Sequence, residues 1–262
     1  MTFRVKYLSL VCIFMIVFYT SLYAQKTVRI ATLTDYPPAC FTKKPAVTTA
    51  IEQIPPGKDS EVLQGKSWEI VREAYHSQGY TIVLHTVPIS RAIHYVTNGT
   101  VDVIFPLVVS EERSRSFSFS DEPVITDSIV VYFSAAGTPP WHGLDSLNDK
   151  KIAVVRKWAY GKIWEKQTSV VRIETDSIIQ CFQSLDNESV SGVVGYEIAF
   201  DYTLKSLGLT SKYHKSPEID KVINYMMGNK TSKTKTYLDA YDKGYRNIRS
   251  NGILDKINKK WK

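Results

Sequence analysis

Residues 98–123 read NGTVDVIFPLVVSEERSRSFSFSDEP, and this stretch indicates an α/β fold. Its opening Asn-Gly pair is typical of a helix end, and the apolar run at residues 101–105 predicts a short strand directly after it. The sequence from Ser110 to Arg113 predicts a strand end that passes into a helical turn. Arg113 therefore follows the end of a strand, where its guanidinium is suited to bind an anion.

The composition is that of a folded globular protein. The chain has 262 residues, of which 44% are hydrophobic and 23% are charged. This length allows one large or two small domains, each with its own core. The sequence therefore predicts an ordered chain for most of its length.

The start of the chain differs from the rest and predicts a signal peptide at residues 1–24. Arg4 and Lys6 precede an uncharged apolar run at residues 7–23. This run has the length of a signal-peptide core and is short for a membrane-spanning helix. An uncleaved membrane anchor is the alternative, because Leu22 is not the small residue preferred three positions before the cut.

Net charge and cysteine positions give no support for a nucleic-acid-binding protein or a disulfide-linked fold. Cleavage would reduce the 33 basic residues to 31, against 26 acidic residues, so the mature chain would carry a net charge of +5. This charge is modest and scattered, and nucleic-acid binding is not predicted. Cys40 and Cys181 would remain in an oxidising compartment. They are far apart in sequence, so two separate thiols are favoured over a disulfide.

The first half of the mature chain alternates between strand and helix patterns. Residues 42–64 interrupt this alternation with little periodicity and are interpreted as an insertion or flap. Alternating strands and helices predict a parallel sheet with right-handed crossovers. The predicted elements are a strand at 27–32, a helix from about Trp68 that ends at Gly79, a strand at 81–86, a helix at 90–97 and the strand at 101–105.

The pattern restarts after a long strand at 128–135 and a Gly-Thr-Pro-Pro break at 137–140. A second α/β unit is therefore predicted. Its strands are expected at 151–155, 170–174 and 192–195, and its helices at 159–166, 177–185 and 198–206. A strand at 221–227, an amphipathic helix at 231–249 and a short helix ending at Trp261 complete the chain.

Several different short motifs are distributed along nearly the whole mature chain. They are TLTDYPP at 32–38, NG followed by Asp102, SEER at 110–113, FS and Pro123 at 119–123, LNDKKIAV at 147–154, and a closing NG and KW at 251–261. Each motif is weak alone, but their order and spacing together resemble the periplasmic solute-binding proteins of the polar amino-acid uptake family.

The resemblance implies a two-lobed, type II periplasmic-binding-protein-like α/β clamshell, in which each lobe is a sheet flanked by helices. A ligand would bind between the lobes, and the carboxyl-terminal helices would return to the first lobe. We therefore expect lobe 1 at residues 25–135 and 218–262, and lobe 2 at residues 136–217. The resemblance also implies a periplasmic location after cleavage of the signal peptide at residues 1–24.

Several ligand-binding residues are expected from the same resemblance. Arg113 would bind a ligand carboxylate, and surface pairing with a nearby acid is the alternative. Tyr36 would form an aromatic wall over the ligand, with Phe41 beside it, although both would also suit core packing. Ser110 would donate its hydroxyl or cap the following turn.

The chain departs from the family pattern at three places. Phe105 and Pro106 stand where small hydroxyl residues are common, and Tyr196 stands where an acid would hold the ligand ammonium, with Glu197 next to it. The turn at 156–160 is basic and aromatic. A site lined by aromatic rings, with Arg113 and either Arg91 or Arg156, would suit an anionic or aromatic solute; the expected rings are Tyr36, Phe105, Trp158, Tyr160 and Tyr196. Packing of Trp158 and Tyr160 under a helix is the alternative.

The expected function is capture of a small carboxylate-bearing solute, an amino acid or a related acid, for an ABC permease or a sensor. The alternatives are an enzyme on the same scaffold, similar to cyclohexadienyl dehydratase, or a stand-alone sensory domain. An enzyme would need a general acid, for which Asp35, Asp102 and Glu197 are the candidates. No metal is predicted, since the five histidines lack ligand spacing. No cofactor or nucleic-acid partner is predicted either. We expect a monomer that binds an anionic or zwitterionic ligand.

Overall fold

The computed structural model describes residues 26–44, 49–137, 141–156 and 158–261. The predicted signal peptide at residues 1–24 lies outside these ranges. Within them, no helix combines the length and the apolar character needed to cross a membrane.

Most of the predicted strands and helices are present, with bounds shifted by one or two residues at many ends. The strands are β1 Lys26–Thr32, β2 Asp35–Tyr36, β3 Cys40–Thr42, β4 Ala50–Ile54, β5 Leu63–Gln64, β6 Tyr80–Thr86, β7 Val103–Val108, β8 Phe117–Phe119, β9 Ile125–Ser134, β10 Lys151–Val155, β11 Val171–Thr175, β12 Gly192–Tyr196, β13 Tyr213–Lys215 and β14 Asp220–Asn229. The α-helices are α1 Lys66–Ser77, α2 Ile89–Thr97, α3 Glu111–Ser116, α4 Gly161–Glu165, α5 Ile178–Asp186, α6 Glu197–Ser206, α7 Ser232–Ser250 and α8 Ile253–Lys260.

One mixed sheet connects most of these strands. In the described chain, its order is β11-β10-β12-β9-β14-β7-β1-β6-β4, with β13 paired to β9 and β8 paired to β14. Strands β1, β6 and β7 are parallel and form a first group, and strands β10, β11 and β12 are parallel and form a second group. The predicted parallel pairing is therefore confirmed in both halves.

Two long antiparallel strands join the groups. Strands β9 and β14 pair with each other from Ile125 opposite Asn224 to Ile129 opposite Asp220. Beyond this shared stretch, β9 pairs with β12 and β14 pairs with β7. Each strand therefore crosses from one group to the other, and the chain passes between the groups through these two strands.

Strand β7 runs farther than the predicted strand at 101–105. It begins at Val103 and continues through Pro106 to Val108. Proline has no N–H group to donate to a neighbouring strand. The ladder between β7 and β14 shifts register between Tyr225 and Met227, opposite this proline, so the sheet accommodates it at an irregularity.

Residues 42–64, interpreted from the sequence as an insertion or flap, contain short strands in the described part. Strand β4 pairs antiparallel with β6 at the edge of the large sheet, and β3 joins β2 and β5 in a small second sheet. Ile54 and Leu63 are buried in the core, and Trp68 Nε1 donates to Asp59 Oδ1 over 2.8 Å. Low helical periodicity here reflects short edge strands.

The carboxyl-terminal helices pack against the first group of strands through α1. Leu238, Tyr241 and Ile248 of α7 are buried, as the amphipathic pattern predicts. Tyr75 of α1 donates its hydroxyl to the Tyr237 carbonyl over 3.1 Å. Asp242 accepts the backbone N–H of Glu122 over 2.8 Å, which ties α7 to the segment before β9.

The two cysteines of the predicted mature chain are free, as predicted. Cys40 and Cys181 are buried and form no disulfide. Burial raises the pKa of the Cys40 thiol to about 12 and that of Cys181 to about 11, so both stay protonated at neutral pH.

The contact between α7 and α1 predicts the effect of a single methyl group. A Cβ at Gly244 would collide with the backbone carbonyl of Ala74. We expect Gly244→Ala to lower the free energy of unfolding by about 1–3 kcal/mol, since overpacking outweighs the gain in helix propensity. Urea unfolding measures this change. The neighbouring exposed Lys243→Ala should change stability by less than about 0.5 kcal/mol, and equal stability of both variants would contradict the packing.

Candidate functional site

The predicted site residues follow the carboxyl ends of parallel strands. Tyr36 follows β1 and Arg113 follows β7 in the first group. Trp158 follows β10 and Tyr196 ends β12 in the second group. Loops at the carboxyl ends of parallel strands are where α/β sheets bind ligands. The candidate site therefore lies where these ends face each other.

Aromatic rings from both groups meet at this place. The Tyr36 ring centroid lies 5.5 Å from Trp158 and 6.1 Å from Tyr196, in edge-on geometry. Trp158 lies 4.9 Å from Tyr196, and Tyr160 lies 5.8 Å from Tyr196. We call Tyr36, Trp158, Tyr160 and Tyr196 the aromatic cluster. These edge-on and tilted ring pairs are favourable, so the cluster stabilises contact between the two groups.

Backbone hydrogen bonds fix the two tyrosines of the second group. The Tyr196 hydroxyl donates to the Ala159 carbonyl over 2.5 Å, and the Val155 N–H donates to Tyr160 Oη over 2.7 Å. Trp158 also contacts Phe200 of α6, with the centroids 6.1 Å apart. Trp158 therefore packs against a helix, as the alternative interpretation expects, and also contacts Tyr36; its contact with a ligand stays a prediction.

Asp127 lies beneath the aromatic cluster on the crossing strand β9. It is 1% exposed, and its Oδ2 accepts the Tyr36 hydroxyl over 2.9 Å. Burial raises the pKa of this carboxyl to about 6, although the Tyr36 hydrogen bond and the charge of Lys66 act in the opposite direction. Asp127 was not among the residues predicted from the sequence. The available signal was an acid in the run ITDSIVV, at a position that alternation places on the same face as Ile125 and Ile129.

Arg113 lies at the start of α3, beside this cluster. Ser110 caps the helix, since its hydroxyl accepts the Arg113 N–H over 3.2 Å, and Arg113 Nη1 donates to the Val108 carbonyl over 2.9 Å. Burial lowers the pKa of the Arg113 guanidinium, while Tyr196 acts in the opposite direction. Arginine remains charged in proteins despite such shifts.

Arg113 forms no ion pair among the described residues. Glu111, an expected surface partner, instead pairs with Arg115 over 2.7 Å. Arg113 is half-buried and uses one nitrogen for a backbone carbonyl. A guanidinium with further N–H groups is of the kind that binds a carboxylate through two parallel hydrogen bonds.

Four other expected site residues lie outside the aromatic cluster. Phe105 is fully buried in the core, and Arg91 is exposed near the start of α2. Glu197 pairs with Lys215 over 2.6 Å. Phe41 instead contacts Tyr202 of α6 and Trp261, with centroids 5.7 and 6.2 Å away.

The second expected cation and the candidate acids are also placed by the structure. Arg156 pairs with Glu174 and Asp176 over 3.1 and 2.8 Å. Asp102 pairs with Arg29 over 2.7 Å at the opposite, amino-terminal edge of the first group. Asp35 is exposed on β2. Neither Arg156 nor Asp102 reaches the aromatic cluster.

The family model of the bacterial extracellular solute-binding proteins, family 3, matches residues 28–262. No curated protein matches the sequence significantly.

Three solved structures illustrate the similarity of fold. A histidine kinase sensor domain with similarity to periplasmic binding proteins has a TM-score of 0.72 and 18% identity, covering 90% of this chain and 96% of that chain. The substrate-binding protein of an amino acid ABC transporter has a TM-score of 0.68 and 21% identity, covering 90% and 98%. The substrate-binding protein AbpA from Streptococcus pneumoniae, bound to L-arginine, has a TM-score of 0.67 and 16% identity, covering 91% and 95%.

The sequence resemblance and the predicted fold class are thereby confirmed. The large mixed sheet with flanking helices is the type II periplasmic-binding-protein-like fold. Its two lobes correspond to the two groups of parallel strands. Since the family model spans nearly all of the described chain, the protein belongs to family 3 of the bacterial extracellular solute-binding proteins.

Proposed function

We propose that the protein captures a small carboxylate-bearing solute between its two lobes and presents it to an ABC permease or a sensor. Lobe 1 would comprise residues 25–135 and 218–262, and lobe 2 would comprise residues 136–217. Residues 1–24 would direct export and be cleaved, so the protein would act outside the cytoplasm as a monomer.

The observation that carries this proposal is the state of Arg113. Its guanidinium is half-buried beside the aromatic cluster, without an ion pair among the described residues. Partial burial of a charge without an acidic partner is costly, so the presence of such a charge indicates a function. A solute carboxylate would supply the missing negative charge through two parallel hydrogen bonds.

The aromatic cluster supports capture between the lobes. Tyr36 belongs to lobe 1 and Trp158 and Tyr196 belong to lobe 2, so contact among their rings requires closure. Phe41 and Tyr202 form a second contact of this kind. Closure that depends on contacts from both lobes is the basis of a clamp whose population a ligand shifts.

Two kinds of recipient are consistent with the comparisons. Structural neighbours include binding proteins of amino acid ABC transporters and a histidine kinase sensor domain. Either recipient would recognise the closed form. We therefore propose solute binding as the shared activity, with a permease or a sensor downstream.

Substitution of Arg113 tests the proposed carboxylate site. A thermal-shift screen of amino acids, dicarboxylates and aromatic acids identifies a ligand, and calorimetry then measures its affinity. We expect Arg113→Ala to weaken binding by about 2 kcal/mol or more, roughly 30-fold, because it removes the paired donors.

Arg115→Ala is the matched control, since Arg115 lies on the same short helix, is exposed and pairs with Glu111. Its effect on affinity should be less than about twofold, as for most exposed ion pairs. Arg113→Ala protein that folds normally and binds the ligand with wild-type affinity would refute the assignment of Arg113.

Substitution of Trp158 tests the role of the rings in closure. Trp158→Ala removes the 5.5 Å contact with Tyr36, and an aromatic pair contributes about 0.5–1.5 kcal/mol. We expect a larger radius of gyration in small-angle X-ray scattering without ligand, since the open form gains population. Trp141→Ala, which removes a ring that packs on Phe133 instead, should leave the radius unchanged. A compact Trp158→Ala protein would show that the rings do not control closure.

A further inference from the structure

Asp127 is a buried carboxylate that the proposed carboxylate site does not use. It lies on β9, opposite Val222 of β14, on the face that carries the core residues of both crossing strands. It accepts one hydrogen bond, from the Tyr36 hydroxyl, and forms no ion pair within the described ranges. Burial of a carboxylate without a cation is unfavourable.

Asn224 adds a second unused polar group on the same face. It lies opposite Ile125, two residues along β14 from Val222, so its side chain is a diagonal neighbour of Asp127. Asn224 is 3% exposed, and its Nδ2 has no hydrogen-bond partner in the described structure. Buried amide groups without partners are rare in folded proteins and call for an explanation.

Within the described part of the chain, the groups that interact with Asp127 include no acid that would compete for a cation. They are the Tyr36 hydroxyl from β2, the Tyr196 ring from β12 and the charge of Lys66 from α1. Tyr196 is within electrostatic reach of both Asp127 and Arg113. A negative and a positive group therefore flank one ring of the aromatic cluster.

We propose that Asp127, with Asn224 beside it, is a second ligand subsite that accepts a protonated nitrogen of the solute. In the closed structure, the Tyr36 hydroxyl occupies the position that this nitrogen would take. The inference rests on the proposed function and specifies its ligand: a compact solute with a carboxylate for Arg113 and a cationic nitrogen for Asp127.

The aromatic cluster fits such a solute. Electron-rich faces of Tyr and Trp attract a cationic nitrogen, and the free Asn224 amide offers a donor to an adjacent oxygen of the same solute. Tyr196 occupies the place at which the family resemblance implied an acid. Asp127 of the crossing strand β9 would thus supply the negative charge that lobe 2 lacks at the position of Tyr196.

The test compares ligands that differ only in the nitrogen. The probes are the common L-amino acids and their deaminated acids, such as L-phenylalanine with 3-phenylpropanoate and L-glutamate with glutarate. Thermal shift and calorimetry on the mature protein measure both members of each pair. We expect at least one amino acid to bind tenfold or more tightly than its deaminated partner, because only the amino acid engages Asp127.

Asp127→Asn identifies the residue responsible. It keeps an acceptor for Tyr36 and removes the charge, so the preference for the amino acid should fall to less than threefold while the deaminated acid binds as before. Asp186→Asn, a lobe 2 carboxylate that bonds Tyr213 and Lys212, is the control and should keep the preference.

The wild-type protein provides an independent readout that needs no variant. The carboxyl of Asp127 has a pKa raised to about 6, so its charge is present above pH 6 and is lost as the pH falls through that value. We expect amino-acid affinity to fall by about tenfold per pH unit below 6, whereas the affinity of the deaminated acid should show no such loss.

Two outcomes would overturn the inference. If deaminated acids bind as well as amino acids and lose affinity in Arg113→Ala, the proposed function stands and the subsite at Asp127 does not exist. If no member of either set binds, both the subsite and the proposed carboxylate function fail.

Discussion

The antiparallel pairing of β9 with β14 is the constraint on which the structure depends. Both strands are ten residues long, and half of each strand pairs with the other strand. The outer half of β9 pairs with β12 in one group of parallel strands, and the outer half of β14 pairs with β7 in the other group. Because the chain passes between the lobes along this pair, the relative position of the lobes is set by a short ladder. The ladder therefore also sets the positions of Tyr36 and Arg113 relative to Trp158.

The groups of the candidate site come from different kinds of element. Tyr36 lies on the short strand β2 after β1, and Arg113 lies on the short helix α3 after β7. Trp158 lies in the segment after β10, and Tyr196 ends β12. Asp127 comes from the crossing strand itself. Loops adapt their length and sequence easily, whereas a residue inside a paired strand is fixed by register. The position of Asp127 is therefore fixed by strand register, as is that of Tyr196, whereas Trp158 lies outside the paired strands.

Local patterns in the sequence predicted the strands and helices better than they predicted long-range strand pairing and the burial of polar side chains. Strand β10 has the predicted bounds, and the helix with Leu238, Tyr241 and Ile248 buries that face. The edge strand β4 was missed because its pairing with β6 is a long-range property without a strong local signal. The position of Arg113 after a strand end could be predicted from its motif. Asp127 was missed, because alternation places it on the face of Ile125 and Ile129 but does not show which polar groups tertiary packing brings to it.

The return of α7 to α1 has a consequence for how the molecule reaches its final form. The core around Ala74 and Tyr75 of α1 is completed by residues more than 160 positions later in the chain, including Tyr237 and Tyr241. Contacts between such distant segments form slowly, since a large loop must close first. In a growing polypeptide, the core between α1 and α7 would therefore be completed only after almost the entire chain has left the ribosome.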